Sequence, residues 1–267
     1  MRRKAVLALS LFAGVLAVLF VSTRWPFISR ASSDVPQKQP VVVELFTSEG
    51  CSSCPPADLL LKQLSAEQPF EGIQIIALEE HVDYWNHLGW RDPYSSNDFS
   101  VRQDDYSNAL PRGGVYTPQM VVDGRVQFVG SRRTDAREQI RAAAVRPIAR
   151  LVLTSVPASS GHARSFELRI DPASAPLSDA SLDLYIAVTE KGLRSSPTSG
   201  ENSGEALQHA PVVRELHKLN SVHAPLSAPL SFNVDIRDNW AIPNLTVVAF
   251  LADHHHQIQA AGTSPVL

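Results

Sequence analysis

The sequence is poor in cysteine and in basic residues, and each shortage excludes classes of protein. Two cysteines in 267 residues exclude a small fold held together by several disulfides. Five of the 24 Lys and Arg residues lie in the first 30 positions, so the rest of the chain carries 19 basic against 27 acidic residues. Its net charge of −8 argues against nucleic acid or an anionic membrane surface as a partner.

Motifs for phosphate binding and for serine nucleophiles are also missing. The chain has no G-x-x-x-x-G-K loop and no G-x-S-x-G turn. Two cysteines are too few for a closed zinc site, which needs four ligands. The sequence therefore predicts no cofactor and no resident metal.

The N-terminus carries one long apolar run behind a basic start. Three basic residues at positions 2–4 precede Ala5–Val21, which contains no charge. This pattern is typical of a secretory signal, and an uncleaved single-span anchor is the alternative. We expect residues 1–24 to be this leader and residues 25–39 to be a linker. The rest of the chain would be exported, either periplasmic or anchored to the inner membrane and facing outward.

A strand, a helix and a second strand follow the linker. Val41–Phe46 is a short β-rich run, and Cys51 and Cys54 come directly after it. The apolar stripe of an amphipathic helix then appears at Ala57, Leu60, Leu61 and Leu64. Ile73–Glu79 is the second apolar strand. This order predicts a parallel βαβ unit with the cysteines at the start of its helix.

The remaining pattern predicts the fold class. Residues 80–112 form an aromatic insertion, 118–128 a hairpin with Asp-Gly at its turn, and 135–144 a helix. Residues 40–147 thus match the order of a thioredoxin fold with one insertion. From 148 to 267 short strands of period two alternate with polar turns, which is typical of a sandwich. We therefore expect an α/β thioredoxin-like domain followed by an all-β sandwich-like domain.

The cysteine pair is the most informative chemical feature. Cys51 would lie at the positive end of a helix, where unpaired N–H groups and the helix dipole favour a thiolate. Cys54 lies three residues on and could attack the mixed disulfide that Cys51 forms. This spacing predicts a nucleophile and a resolving residue.

Several segments also resemble an exported bacterial thioredoxin-like family whose function is unknown. The matching segments are ELFTSEGCSSCPPAD at 44–58, DYWNHLGWRDP at 83–93, RQDDY at 102–106, VYTPQMVVDG at 115–124 and GENSGEALQHAPVVREL at 200–216. The resemblance covers about residues 40 to 260. It implies a thioredoxin-like first domain and a β-rich second one.

The resemblance also implies roles around the pair. Pro118 would be a cis proline facing the cysteines, and the backbone at Thr117 would pair with an extended substrate. Tyr116 and Trp85 are further candidates for substrate binding. For Trp85, packing of the insertion over the sheet is the alternative.

Glu44 corresponds to the buried acid that accepts a proton in thioredoxins. Here it stands seven residues before Cys51, whereas thioredoxins place the acid six before, and one residue reverses the direction of a strand side chain. The two serines between the cysteines also depart from the Gly-Pro of thioredoxin. The direction of the redox reaction therefore stays open.

These observations predict an enzyme, an exported thiol–disulfide oxidoreductase without a diffusible cofactor. Its partners would be a disulfide-containing protein or small thiol, and a redox partner that recycles the dithiol. One alternative is a local disulfide staple, and another is a non-catalytic envelope-binding module. A third is copper or other metal handling through Cys51, Cys54 and a histidine such as His81 or His87. We expect His254–His256 to form a polar turn, and Glu201, Asn202 and His209 to form part of a loop network.

Overall fold

A computed structural model describes residues 37–111, 114–156, 162–178 and 180–267. The predicted leader and most of the predicted linker lie outside these residues. Within the described ranges, no helix has the length and apolar character needed to cross a bilayer.

Three α-helices occur in the described residues: α1 (Pro55–Glu67), α2 (Asn97–Ala109) and α3 (Arg133–Ala144). The first turn of α1 contains Pro55 and Pro56, whose missing N–H groups would have no partner inside the helix. Ser96 caps α2 by accepting a hydrogen bond from the N–H of Asp98 at 3.2 Å. Short 3-10 helices cover Asn86–Leu88 and Ile242–Asn244.

The strands fall into an early and a late set. The early set is β1 (Gln39–Thr47), β2 (Ile73–His81), β3 (Gln119–Val122) and β4 (Val126–Val129). The late set is β5 (Ala149–Val156), β6 (Ala163–Ile170), β7 (Ala180–Glu190), β8 (Arg194–Ser195), β9 (Leu207–Gln208), β10 (Val212–Ala224), β11 (Leu230–Asp235), β12 (Leu245–Ala252) and β13 (Ile258–Pro265).

Eleven of these strands form one mixed sheet, so the predicted fold class is wrong. The order is β11-β6-β5-β13-β12-β7-β10-β2-β1-β3-β4, with β8 and β9 paired separately. The junction is β10, which pairs antiparallel with β7 and places Val212 parallel to Glu79 of β2. Because β10 occupies the edge of β2, the structure is not a thioredoxin-like α/β fold followed by a β-sandwich. The predicted boundary at 147/148 falls between α3 and β5 and stays a prediction.

Local elements predicted within residues 40–147 are nevertheless present. Helix α1 connects strands β1 and β2, which pair in parallel, and β1 also pairs antiparallel with β3. The β3–β4 turn places Asp123 at φ 48° and Gly124 at φ 62°. A Cβ at Gly124 would lie 2.0 Å from the carbonyl oxygen of His256, so this close approach requires glycine.

Alternation along β1 and β2 creates two buried faces. On the face covered by α1, the apolar residues Val43 and Ile75 pack against Leu61. On the opposite face, Val42 and Leu78 lie in one core cluster with Phe99 of α2, together with β7 and β12 residues. We call these the α1 face and the α2 face. Polar residues at the ends of the two strands follow the same alternation, so they form two separate buried groups.

Candidate functional site

The two cysteines form a disulfide at the start of α1. Cys51 and Cys54 are bonded, with Cα atoms 5.5 Å apart. Cys54 is the N-cap residue of α1, and its carbonyl accepts hydrogen bonds from Ala57 N at 2.8 Å and Asp58 N at 3.2 Å. The bridge therefore lies at the positive end of the helix dipole, where a thiolate would be stabilised after reduction. Ser53 Oγ lies 3.4 Å from Cys51 Sγ and could donate a hydrogen bond to it.

Trp85 and Thr117 lie together beside the disulfide loop. The indole Nε1 of Trp85 donates to Thr117 Oγ1 at 2.9 Å. A Cβ on Gly50, the residue before Cys51, would lie 3.0 Å from Trp85 Cβ. The structure thus brings two of the predicted substrate-binding residues next to the cysteine segment, while their role stays a prediction.

Pro118 lies close to the same helix end. The Thr117–Pro118 peptide bond is cis, as predicted. Gly130 lies between Pro118 and α1, since a Cβ there would be 3.4 Å from Pro118 Cβ and 3.2 Å from Ala57 Cβ. Tyr116 is half-buried, and its hydroxyl hydrogen-bonds Gln127. Substrate contact by Pro118 and Tyr116 is untested.

A loop from the second half of the chain covers the disulfide. Residues 196–206, the covering loop, join β8 to β9. Asn202 Nδ2 donates to the carbonyl oxygens of Glu49 at 2.8 Å and Cys51 at 3.0 Å, and Glu201 Oε2 accepts from Ser52 N at 2.9 Å. Cys51 is 1% exposed and Cys54 is not exposed at all. In this closed arrangement a protein substrate could not reach either sulfur.

A second polar group lies buried on the α1 face. We call it the acid–histidine cluster; its members are Glu49, Asp58, Glu79, His81, Asp92 and His209, all buried. Glu79 Oε1 lies 3.0 Å from both His81 Nε2 and His209 Nδ1. The other oxygen of Glu79 accepts a hydrogen bond from the backbone N–H of Ala210. Two histidines from distant segments therefore converge on one carboxylate oxygen.

The outer nitrogen of each histidine also has a carboxylate partner. His81 Nδ1 lies 2.7 Å from Asp92 Oδ2. His209 Nε2 lies 3.2 Å from Glu49 Oε1 and 3.0 Å from Ser195 Oγ. These contacts fix the orientation of both rings.

The cluster changes the protonation of its members. Burial alone would lower the pKa of His81, but the nearby carboxylates of Asp92 and Glu79 raise it well above its usual value. Burial likewise opposes the charged form of His209, but its hydrogen bonds to Glu49 and Glu79 raise that pKa to about 9. Burial and the charge of Glu79 raise the pKa of Asp58 to about 8.

Asp58 connects the cluster to the disulfide. It follows Cys54 by four residues, which is one helical turn, and it is buried. Thr47 Oγ1 donates to its Oδ1 at 2.6 Å. A buried acid thus lies on the same helix edge as the second cysteine.

Family comparison identifies the chain only broadly. The family model described as "Protein of unknown function (DUF1223)" matches residues 42–252. The chain belongs to this DUF1223 family. No curated protein matches it.

One solved structure shares the fold of this DUF1223 protein. The chain is similar to the crystal structure of protein AGR_C_4864 from Agrobacterium tumefaciens at 24% identity and a TM-score of 0.62, covering 86% of this chain and 95% of that one. A domain of the outer membrane lipoprotein Omp28 from Porphyromonas gingivalis gives 10% identity and a TM-score of 0.24, with 45% and 90% covered. The first likeness supports the fold, and the second is too weak to support an argument.

The structure places Glu44 away from the disulfide. Glu44 lies on the α2 face, where Oε1 is 2.6 Å from Arg102 and Oε2 accepts from Tyr106 Oη at 2.5 Å. Its role as proton acceptor stays a prediction. The disulfide lies at the start of α1, and Asp58 of that helix is near it, whereas Glu44 lies on the opposite face of the sheet. The spacing of four residues from Cys54 to Asp58 could have identified this alternative.

The His254–His256 segment forms a polar turn, as the sequence predicts. His254–His256 lie in the turn between β12 and β13, where the N–H groups of His255 and Gln257 donate to Asp253 Oδ1. Within the described residues, the one group of three closely spaced metal-ligating side chains is Glu79, His81 and His209, and it contains no cysteine. Sequence reasoning missed this group because His209 is 130 positions from Glu79.

Proposed function

We propose that this DUF1223 protein is an exported thiol–disulfide oxidoreductase that uses Cys51 and Cys54. The observation that carries the proposal is the disulfide at the N-terminus of α1, beside Trp85 and Thr117. An oxidising compartment outside the cytoplasm is where such a bond persists, which agrees with the signal-like leader. No diffusible cofactor is required.

The reaction is a two-electron exchange. In the reduced protein the Cys51 thiolate attacks one sulfur of a substrate disulfide, forming a mixed disulfide and releasing the first substrate thiol. The Cys54 thiolate then attacks the Cys51 sulfur, restores the bridge and releases the second thiol. The substrate is reduced to two thiols while the protein dithiol is oxidised. A partner dithiol restores the reduced form, and the reverse sequence would oxidise a substrate.

Asp58 is the group best placed to take the proton of Cys54. A free cysteine has a pKa of about 8.5, and Asp58 has a pKa of about 8, so the two groups are matched for proton transfer. Their positions one helical turn apart allow transfer directly or through a water molecule. Replacing Asp58 with Asn should therefore slow the resolving step more than the initial attack.

Catalysis also requires the covering loop to open. Opening breaks the two hydrogen bonds from Asn202 and the one from Ser52 N to Glu201. Each of the two Asn202 bonds contributes about 0.5–1.5 kcal/mol to the closed state. An open form in a minor population is consistent with that small energy difference.

The test is the reduction potential of the pair together with a trapping assay. We expect a potential between about −120 and −270 mV, the range of known dithiol exchange proteins. Purified Cys54→Ser protein should attack a disulfide of oxidised glutathione or of native insulin and accumulate the mixed disulfide while the substrate thiol leaves, and the matched Cys51→Ser protein should not. A potential below about −300 mV, with equal trapping by both variants, would show instead that the bridge is a structural staple.

A further inference from the structure

The acid–histidine cluster has the donor atoms of a transition-metal site. Two imidazole nitrogens, His81 Nε2 and His209 Nδ1, and the carboxylate oxygen Glu79 Oε1 all lie within 4.8 Å of one another. Two imidazoles and one carboxylate are a ligand set that zinc accepts, with a fourth position left for water or another oxygen. Glu79 Oε2 accepts a hydrogen bond from the N–H of Ala210, so Oε1 is the oxygen that faces the two histidine nitrogens.

The spacing of these atoms is close to that of a coordination shell. Bonds of 2.0–2.2 Å at tetrahedral angles separate ligand atoms by about 3.3–3.6 Å. Glu79 Oε1 is 3.0 Å from each histidine nitrogen. Small shifts of the side chains would therefore admit an ion between them.

The surroundings of the two histidines match those of metal ligands. A ligating histidine usually directs its other ring nitrogen to a carboxylate, which fixes the ring and strengthens the ligand. Here His81 Nδ1 has Asp92 Oδ2 at 2.7 Å, and His209 Nε2 has Ser195 Oγ at 3.0 Å with the Glu49 carboxylate at 3.2 Å. A carboxylate thus lies beside the outer nitrogen of each ring, which is an observation independent of the three inner atoms.

The charge of the cluster also favours a bound cation. It contains the carboxyl groups of Glu49, Glu79 and Asp92, with the protonated Asp58 beside them. Within the described residues, its hydrogen bonds and ion pairs include no Lys or Arg, and the two imidazoles are its cationic partners. A divalent ion would supply charge that no permanent cation in the cluster supplies.

We propose that Glu79, His81 and His209 bind one divalent transition-metal ion, with zinc as the best match, and that a water molecule completes the shell. The ligands come from the end of β2 and from the residue after β9, so the ion would join the two halves of the chain. His209 lies three residues after the covering loop, beyond β9, so opening of that loop would give the ion a route to the buried site. The cysteines are not ligands in this proposal, so it stands independently of the redox reaction.

The test is metal binding by the purified full chain after treatment with a chelator. A calorimetric titration with Zn²⁺ should show one ion bound per chain. Co²⁺ should give the visible bands of a four-coordinate site without a thiolate charge-transfer band. The Cys51→Ser/Cys54→Ser double variant should bind equally well, which separates this result from the outcome of the redox assay.

Variants assign the ligands. His209→Gln and Glu79→Gln should each abolish binding of one ion per chain, and Asp92→Asn should weaken it by about 10- to 100-fold. The matched control is His255→Gln, which alters the exposed histidine turn and should leave affinity unchanged. Circular dichroism checks that each variant is folded. Absence of stoichiometric binding by the unaltered protein, or loss of binding in His255→Gln alone, would overturn the proposal even if His209→Gln fails to fold.

Discussion

Strands β1 and β2 carry a buried ionic group on each face, and the two groups are built differently. On the α2 face, Arg102 contacts the carboxylates of Glu44 at 2.6 Å and Glu80 at 3.7 Å, and Tyr106 donates to Glu44. On the α1 face, the acid–histidine cluster has imidazoles in place of the guanidinium. Both groups are buried, so burial alone does not distinguish them.

The two groups differ in whether their positively charged side chains can lose a proton. Arginine does not lose its proton in proteins, so the α2-face group has a permanent cation. Burial and the neighbouring charge of Glu44 raise the pKa of Glu80 well above its usual value, which leaves one carboxylate to balance Arg102. A histidine can lose its proton to solvent, and the neutral imidazole nitrogen can then bind a metal ion. We infer that the α2-face group is structural and that the α1-face group, next to the disulfide, is the functional one.

The largest expected effect is on the stability of the α2 face. Arg102→Leu should lower the free energy of unfolding by about 3–5 kcal/mol, because it leaves Glu44 buried without a cation. Urea denaturation followed by circular dichroism measures this change. The control Glu80→Gln should cost less than about 1 kcal/mol, since burial and the charge of Glu44 raise the pKa of Glu80 and favour its uncharged form. Equal losses in the two variants would contradict the structural role assigned to Arg102.

The next effect is the pH dependence of stability from Asp123, a buried acid in the β3–β4 turn. Burial raises its pKa to about 7, although the N–H of Val42 donates to it at 2.8 Å. The folded state therefore holds a proton that the unfolded state loses above its pKa of about 3.9. The contribution of Asp123 to stability should be fully present below about pH 4 and should be lost as the pH rises through 7, by up to about 4 kcal/mol.

Asp123→Asn isolates this contribution. Asparagine can accept the same hydrogen bond and tolerates the positive φ of this position. Its stability should change less between pH 4 and pH 7 than that of the unaltered protein, as measured by urea denaturation at each pH. Asp104→Asn, which removes an exposed carboxylate of α2, is the control and should leave the profile unchanged. Parallel profiles for Asp123→Asn and the unaltered protein would contradict the prediction.

Local sequence patterns predict several elements around the disulfide, but they do not predict the acid–histidine cluster. The cysteine pair, the stripe of α1 and the Asp-Gly turn are local signals, and each appears where the sequence places it. Side chains alternate along a strand, so Glu79 and His81 lie on one face while Glu44 and Glu80 lie on the other. The same alternation, applied to the sequence, predicts that Glu44 faces away from the α1 face.

Local sequence patterns do not predict which distant segments of the chain contact each other. The pairing of β10 with β2 and the position of His209 depend on residues about 130 positions apart. Periodicity indicates that a strand exists and which side chains share a face, but it does not identify the neighbouring strand. For that reason the predicted fold class was wrong, while the first helix and the hairpin are present as predicted. The covering loop was predicted as a polar network, but its position over the disulfide was not.

The smallest expected effect concerns access to the disulfide. Asn202→Ala removes two hydrogen bonds that hold the covering loop to Glu49 and Cys51, which should raise the open population. A loss of about 1.4 kcal/mol would speed reduction of the bridge by dithiothreitol about tenfold. Asn233→Ala on β11, which removes a partner of Ser165 on an exposed surface, is the matched control. If both variants are reduced at the rate of the unaltered protein, the loop does not limit access, and the redox proposal would require another path to Cys51.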